Sequence, residues 1–511
     1  MGKNTASLDK KAIKAHIKSQ LEAEYPSFNK LKRKEKRKVV RTACKTAEQT
    51  IKARNMNVPE LTDEERLGMG TIPAGIMSID EMKEFIEDHK RTVIQLANPS
   101  RSQHIKDPLL VHMDEVLDNG LLDRLLATGS MTPSMRDWMP SRLLRMELLR
   151  TANFPELSVR KFCHCMANLS RKEERSFCGL SLRELEMADH STLSTFRSSL
   201  TFEMRVNLMV YLMQHFLSSG RLGEGVLHTV DSTDVAIKIN SSPLGKIEMP
   251  DGSFIRFYSD LSSDCGSRRN KRDKSKMFVG YRVHTLCVAD VESGIAFPLL
   301  SLALAANHHD SQILNPLLAL ARAVGIDMKV LSADEAYADA ENQKKLRDEH
   351  GILVVTPSKS KTAAPQNVDA EKGTVFLDGA CETPMCWAGY DEEDSGHVFL
   401  CGDDDNACPR KALCHRERII PLDTGLFGPV PRCVPEAEDV IGIRKITERP
   451  FNLLKHMDGL EPCRMKTQNT VSAQVVFSQV IGIFKVTAGL RAVPKPENEK
   501  RQEVLPIAAT G

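Results

Sequence analysis

Aromatic side chains are scarce. Two Trp, six Tyr and eighteen Phe make up 5% of 511 residues, and the mean hydropathy is −0.30, the composition of a soluble protein. Uninterrupted apolar stretches long enough to cross a bilayer, about 20 residues, are also missing. Ala296–Ala306 is too short, and Val471–Leu490 is broken by Gln and Lys. Neither is expected to enter a membrane. Nor is there an excess of one charge: 70 Lys and Arg against 68 Asp and Glu leave a net +2. No global field announces a polyanionic partner, so any basic surface must be local. The opening residues, Met1-Gly-Lys-Asn-Thr-Ala6, run into charged sequence without the apolar core of a secretory signal. Thirteen cysteines, an odd number scattered through a long chain, do not form a disulfide framework. The expected compartment is the reducing cytoplasm.

What is present divides by texture. Residues 1–130 read as charged helices, with a dense basic run at Lys30–Arg41 that suits either a solvated helix face or contact with phosphates. Residues 131–220 stay helical: Leu143–Leu149 and Leu157–Cys163 carry apolar residues at helical spacing. Asp189 is placed to cap a helix on which Leu193, Phe196 and Leu200 share a face. Ser194, Thr195, Ser198 and Ser199 lie opposite, with Arg197 at the border. The pattern fits a helix-turn-helix reader of DNA as well as an ordinary helical hairpin.

From residue 221 strands take over. Val226–Val230 is an apolar, β-branched approach to Asp231, followed by Ser232-Thr-Asp234. A strand ending on a carboxylate presents it at the rim of a sheet. A basic loop spans Arg268–Lys276. Met277–Val288 and Ile295–Leu302 form a hairpin across a Glu-Ser-Gly turn. Ala306-Asn-His-His-Asp310 opens a helix, Met328–Ala333 is a strand ending at Asp334, and a helix and a strand follow at Ala338–His350 and Gly351–Val355. Two strands thus end in acids. Carboxylates gathered at one rim are the oxygen ligands a hard divalent cation such as Mg²⁺ takes.

Residues 357–438 are polar and carry Cys386, Cys401, Cys408 and Cys414. Thiols in a segment too polar to build its own core suggest zinc, although the spacings contain no Cys-x2-Cys knuckle. Beyond them, Arg444, Glu448 and Lys455 fall within about 40° of one another on a helix. Such a row is either a surface salt-bridge ladder or a metal-binding carboxylate flanked by two phosphate-binding cations. Pro450 follows Glu448 by two residues. An apolar helix over 466–490 and a disordered tail over 491–511 complete the chain.

In combination these segments resemble the DDE transposases of bacterial insertion sequences, whose catalytic domain is similar to ribonuclease H. Asp231-Ser-Thr233 matches the first motif of that family and Asp334-Glu-Ala-Tyr337 the second. Arg444-x3-Glu448-x6-Lys455 matches the third, with Ile441 standing where the family has Tyr. Gly280–His284, Ala306–Asp310 and the segment ending at Arg197 also resemble family segments. The resemblance implies an α/β fold: a ribonuclease H-like mixed sheet flanked by helices, built from 221–356 and 439–490. An all-α region precedes it, with 131–220 binding DNA, and the cysteine-bearing insertion 357–438 interrupts it.

It also implies the chemistry. Asp231, Asp334 and Glu448 would hold two Mg²⁺ or Mn²⁺ ions about 4 Å apart. Arg444, Lys455 and Tyr337 would lie against DNA. Arg268, Arg269, Lys271 and Arg272 would add salt-sensitive affinity for its backbone, and Arg197 would help read the element's ends. The partners are double-stranded DNA, as element ends and as target, and a second copy of the chain in the active complex. The location is cytoplasmic, on the nucleoid when DNA is bound. Two other functions fit the same residues: a metal-dependent nuclease without strand transfer, and an inert DNA-binding protein derived from a transposase.

Overall fold

A computed structural model describes residues 75–92, 104–127, 137–222, 227–248, 254–270, 273–290, 295–308, 310–357 and 467–489. It also describes shorter pieces at 18, 36, 40–41, 365–369, 373–377, 383–391, 394, 396–401, 417–422, 427–428, 430–431, 433–434, 437, 440–443 and 465. The Lys30–Arg41 run, apart from Lys36, Val40 and Arg41, and the tail 491–511 lie outside the described residues.

The helical half comprises α1 (Ile79–Thr92), α2 (Pro108–Val116), α3 (Asn119–Leu125), α4 (Pro140–Asn153), α5 (Val159–Met166), α6 (Lys172–Phe177), α7 (His190–Ser199) and α8 (Phe202–Ser218). Their starts are written in the sequence. Asp107, Asp118, Ser158, Asp189 and Thr201 each turn a side-chain oxygen onto N–H groups of the first turn.

The strands follow: β1 (Leu227–Ala236), β2 (Gly245–Glu248), β3 (Phe254–Phe257), β4 (Asp264–Asn270), β5 (Asp273–Asp290) and β6 (Ile295–Ala305). Next come α9 (Asp310–Ala323), β7 (Val330–Ala333), a 3₁₀ turn (Glu335–Tyr337), α10 (Ala340–His350) and β8 (Leu353–Val355). The insertion contributes β9 (Met385–Asp391), β10 (Gly396–Cys401) and β11 (Glu417–Pro421), and α11 (Gln468–Gly489) closes the described chain.

The main sheet is mixed. β1 is central, antiparallel to β5 on one side and parallel to β7 on the other. β5 pairs in turn with β6 and β4, and β7 with β8. This is a ribonuclease H-like α/β arrangement, a mixed sheet flanked by helices.

Two expectations about strands need correction. β1 does not end at Asp231 but runs five residues further, because Thr233 and Val235 continue the buried alternation while β5 pairs with every residue from His228 to Ala236. The basic stretch Arg268–Lys276 is not a loop over its described residues: Arg268–Asn270 end β4 and Asp273–Lys276 begin β5, with Arg268↔Lys276 and Asn270↔Asp273 paired.

α11 is the one helix among the described residues long and apolar enough to cross a membrane. It lies instead in the core. Phe477, Val480, Ile481 and Phe484 are at most 1% exposed, and burying each contributes roughly 1.5–3 kcal/mol. The glutamines that interrupt its apolar run have partners: Gln468 donates to Ala303 O at 2.7 Å, Gln474 accepts from Arg150 at 2.5 Å, and Gln479 donates to Ser301. One hydrophobic cluster takes residues from the helices before 222, from the sheet and from α11.

The insertion also departs from expectation. Its strands form an antiparallel sheet with a small core of its own, built from Val375, Met385, Phe399, Ile420 and Phe427. Its average polarity hid strands that each bury one to three residues.

Candidate active site

The parallel ladder between β1 and β7 runs Leu227↔Val330, His228↔Leu331, Thr229↔Ser332, Val230↔Ala333. One step further, Asp231 meets Asp334. The backbone of Asp334 is still extended, at φ −72° and ψ 161°, so its side chain follows the sheet alternation onto the face of Ser332 and Thr229. Neighbouring strands are about 4.8 Å apart. Two carboxylates therefore stand side by side on one face, where β7 stops and β1 continues. Each is oriented in the same way: Asp231 Oδ1 accepts the Ser232 N–H at 2.7 Å, and Asp334 Oδ1 accepts the Glu335 N–H at 2.7 Å. Both are half-buried, sheltered yet open to solvent.

The same face carries the segment that precedes Arg444 and Glu448 in the sequence. Val440 and Ile441 pack with Leu227, Val330, Leu353 and Val355, and the Ser332 hydroxyl donates to Val440 O at 3.1 Å. The segment that leads to Arg444 and Glu448 is thus tied beside the strand ending at Asp334. Ile441, at the position of the family's Tyr, fills this apolar cluster, which explains an aliphatic residue there. Arg444, Glu448 and Lys455, with Pro450, lie outside the described residues.

On the opposite face of β1 sits a polar group that sequence reading did not assemble. Arg282, opposite Asp234 in the β1–β5 register, lies 3.0 Å from both Asp234 and Asp310. Asp310 also accepts from Ser232 Oγ at 3.3 Å. Burial would lower the Arg282 pKa, but Asp310 and Asp234 more than offset it and raise it. The guanidinium is therefore permanently charged and neutralises two acids behind Asp231 and Asp334. His284, opposite Ser232, is fully buried. Burial, helped by Arg282 and His308, pushes it down to about 3, so its imidazole is neutral. The signal for this group was present in Gly280–His284 and Ala306–Asp310, but nothing in the sequence placed those two segments around Ser232 and Asp234.

Two residues expected at DNA are turned inward. Tyr337 is 1% exposed, and its hydroxyl lies 2.8 Å from His284 Nδ1. Arg197 is 5% exposed, and its Nη2 reaches Glu147 Oε1 at 2.6 Å and Oε2 at 2.5 Å. Neither offers a polar head to a ligand, and both expectations are corrected. Ser194, on the outer face of α7, is exposed. Arg268 and Arg269 fall in β4, whereas Lys271 and Arg272 lie outside the described residues. Cys386 and Cys401 sit at adjacent register positions of β9 and β10; Cys408 and Cys414 lie outside the described residues. Among the described residues no three His, Cys, Asp or Glu side chains converge as a metal group.

A family model described as a transposase DDE domain matches residues 230–481, from the residue before Asp231 to the middle of α11. Residues 230–481 are a transposase DDE domain. A DDE domain is the catalytic unit of a DNA transposase, a metal-dependent enzyme of DNA cleavage and strand transfer, and that is the function of this chain. No curated protein matches the chain. Among solved structures, the cryo-EM structure of the piggyBac transposase synaptic complex with hairpin DNA aligns at 12% identity over 79% of this chain and 79% of that one. Its TM-score of 0.30 is too low to carry weight. The DDE match takes in both Asp231 and Asp334 and ends inside the helix that closes the core. The donor set fits the divalent metal that such domains use: adjacent carboxylate oxygens suit a hard cation, which takes oxygen ligands and keeps several waters.

Proposed function

We propose that this DDE domain cleaves the ends of its own insertion sequence and joins them to target DNA, with Asp231, Asp334 and Glu448 holding two Mg²⁺ ions. The observation that carries the reading is the register of β1 and β7, which sets Asp231 beside Asp334 on the face where the segment leading to Glu448 is tied. When bound, Mg²⁺ or Mn²⁺ would supply Lewis acidity for the attacking water or 3′-hydroxyl and for the leaving oxygen.

The protein's part is to hold the acids and the DNA. Three carboxylates bring negative charge towards a polyanion, so the field at the site favours DNA only when cations occupy it. Arg444 and Lys455 flank Glu448 in the sequence and would grip phosphates, Arg as a fork and Lys as a point charge. Arg268, Arg269, Lys271 and Arg272 are close together in the sequence at the end of β4 and just beyond it, and would follow the DNA backbone. Two ends must be brought together, which calls for a homodimer in the active complex, acting on the nucleoid.

The test uses full-length protein, linear DNA bearing the sequences that border the gene, a supercoiled target and Mg²⁺. Joined product from wild type and none from Asp231→Asn supports the reading. Cleavage without joining would make the protein a nuclease. DNA binding without cleavage would make it an inert relative.

A further inference from the structure

The ladder that sets Asp231 beside Asp334 is short. β7 has four residues, and its pairing with β1 ends at Ala333. Among the described residues the β1–β7 ladder stops one residue short of Asp334, and metal affinity depends on where its carboxylate stands to within about 0.5 Å. Three residues on, the 3₁₀ turn closes with the Tyr337 N–H on Asp334 O at 2.9 Å, and the Tyr337 ring enters the core cluster. A phenylalanine would fill that space equally well. The hydroxyl is therefore the informative part, because a buried hydroxyl costs free energy unless it is bonded.

It is bonded to β5: His284 Nδ1 lies 2.8 Å away. Ser232 and His284 are opposite each other in the ladder, one step from Asp231↔Thr285. Ser232 donates to Asp310, itself fixed by Arg282. The third residue after the second acid is therefore tied, through His284, to the ladder at the residue after the first.

We propose that Tyr337 is a positioning residue: by bonding His284, the β5 residue opposite Ser232 of β1, its hydroxyl holds the turn that carries Asp334 in register with Asp231 and so sets the spacing of the two metal-binding carboxylates. The inference rests on the reading of those two acids as metal ligands. Tyr337 touches neither metal nor DNA in this role, so its removal loosens the site without taking away a ligand.

The experiment measures Mn²⁺ binding to the full-length protein by the electron paramagnetic resonance signal of free Mn²⁺, alongside thermal melts, for Tyr337→Phe, Asp334→Asn and Tyr211→Phe. Tyr211 supplies the control for stability. It is also buried, and Tyr211→Phe removes the hydroxyl that donates to Val116 O and accepts from the Asp118 N–H in the helical half. The expected result is about tenfold weaker Mn²⁺ binding for Tyr337→Phe, with the maximal cleavage rate regained at higher Mn²⁺. Tyr211→Phe should lower the melting temperature by a similar amount and leave Mn²⁺ binding at the wild-type value. Wild-type Mn²⁺ affinity in Tyr337→Phe, with Asp334→Asn impaired, overturns the positioning role alone. Equal weakening in Tyr211→Phe overturns it too, by reducing the effect to stability. Wild-type affinity in Asp334→Asn removes the metal site itself, and the inference with it.

Discussion

Arg197 of α7 closes on both carboxylate oxygens of Glu147 of α4, at 2.6 and 2.5 Å, in a place where Glu147 is fully buried. Arg150 adds a third contact at 3.1 Å. Burial by itself would raise the Glu147 pKa, but the two guanidinium groups outweigh it and hold the carboxyl below its ordinary value. The ion cluster thus stabilises the fold above the usual glutamate range and is lost as pH falls through the lowered value. Glu147→Gln leaves two buried cations without their counter-charge and should cost about 3–5 kcal/mol in urea unfolding. Ser194→Ala, on the exposed side of the same helix, should stay within about 0.5 kcal/mol. Native stability in Arg197→Met together with lost recognition of the element's ends would return that guanidinium to the DNA.

Acidification should expose the buried His284. The unfolded chain takes up a proton on this residue near pH 6.5, whereas the folded protein resists until about 3. The unfolded state therefore binds more protons between those values, and the His284 contribution to stability, complete above about pH 6.5, is lost as pH falls below it. Urea unfolding of wild type and His284→Gln at about pH 8 and about pH 5 checks this. The advantage of wild type should shrink at the lower pH, and an unchanged difference would mean that the imidazole is charged in the folded protein.

Gly280 begins the β5 segment opposite the site for a steric reason. A Cβ there would meet Val235 O at 2.0 Å and Val235 C at 3.0 Å, so any side chain must push β1 away from β5. Gly280→Ala should destabilise the protein by about 3 kcal/mol or more, read as a large fall in melting temperature. An unchanged melt would show that the two strands separate here without penalty.

The basic stretch between β4 and β5 should act through salt. If Arg268, Arg269, Lys271 and Arg272 each neutralise a phosphate, alanine at all four lowers the slope of log affinity against log salt by about 0.9 per contact. Fluorescence anisotropy with duplex DNA across a salt series measures it. A slope equal to that of wild type would place the DNA elsewhere.

How much of this was legible in the sequence depended on how far apart the partners lie. Local signals were sufficient for the N-cap at Asp189, the hairpin of β5 and β6, the strand that stops at Asp334 and the long apolar helix α11. The continuation of β1 past Asp231 was not, because an acid is unfavourable in most strands and the long β5 that pairs with it begins some forty residues later. Arg197 and Tyr337 were assigned to DNA through the family resemblance of the segments that carry them. Their partners, Glu147 and His284, are 50 and 53 residues away, beyond any periodicity. The insertion's small core was hidden for a related reason: its five buried apolar residues are spread from Val375 to Phe427.

The central claim is that Asp231, Asp334 and Glu448 act together on DNA. Excision in cells of a marked cassette, flanked by the DNA that borders this gene, tests it most directly with wild type, Asp231→Asn, Asp334→Asn and Glu448→Gln. The account predicts excision by wild type and none by any of the three variants at equal protein level. Excision by Glu448→Gln at the wild-type rate would contradict it, moving the third acid off the segment that Ser332 ties to the sheet.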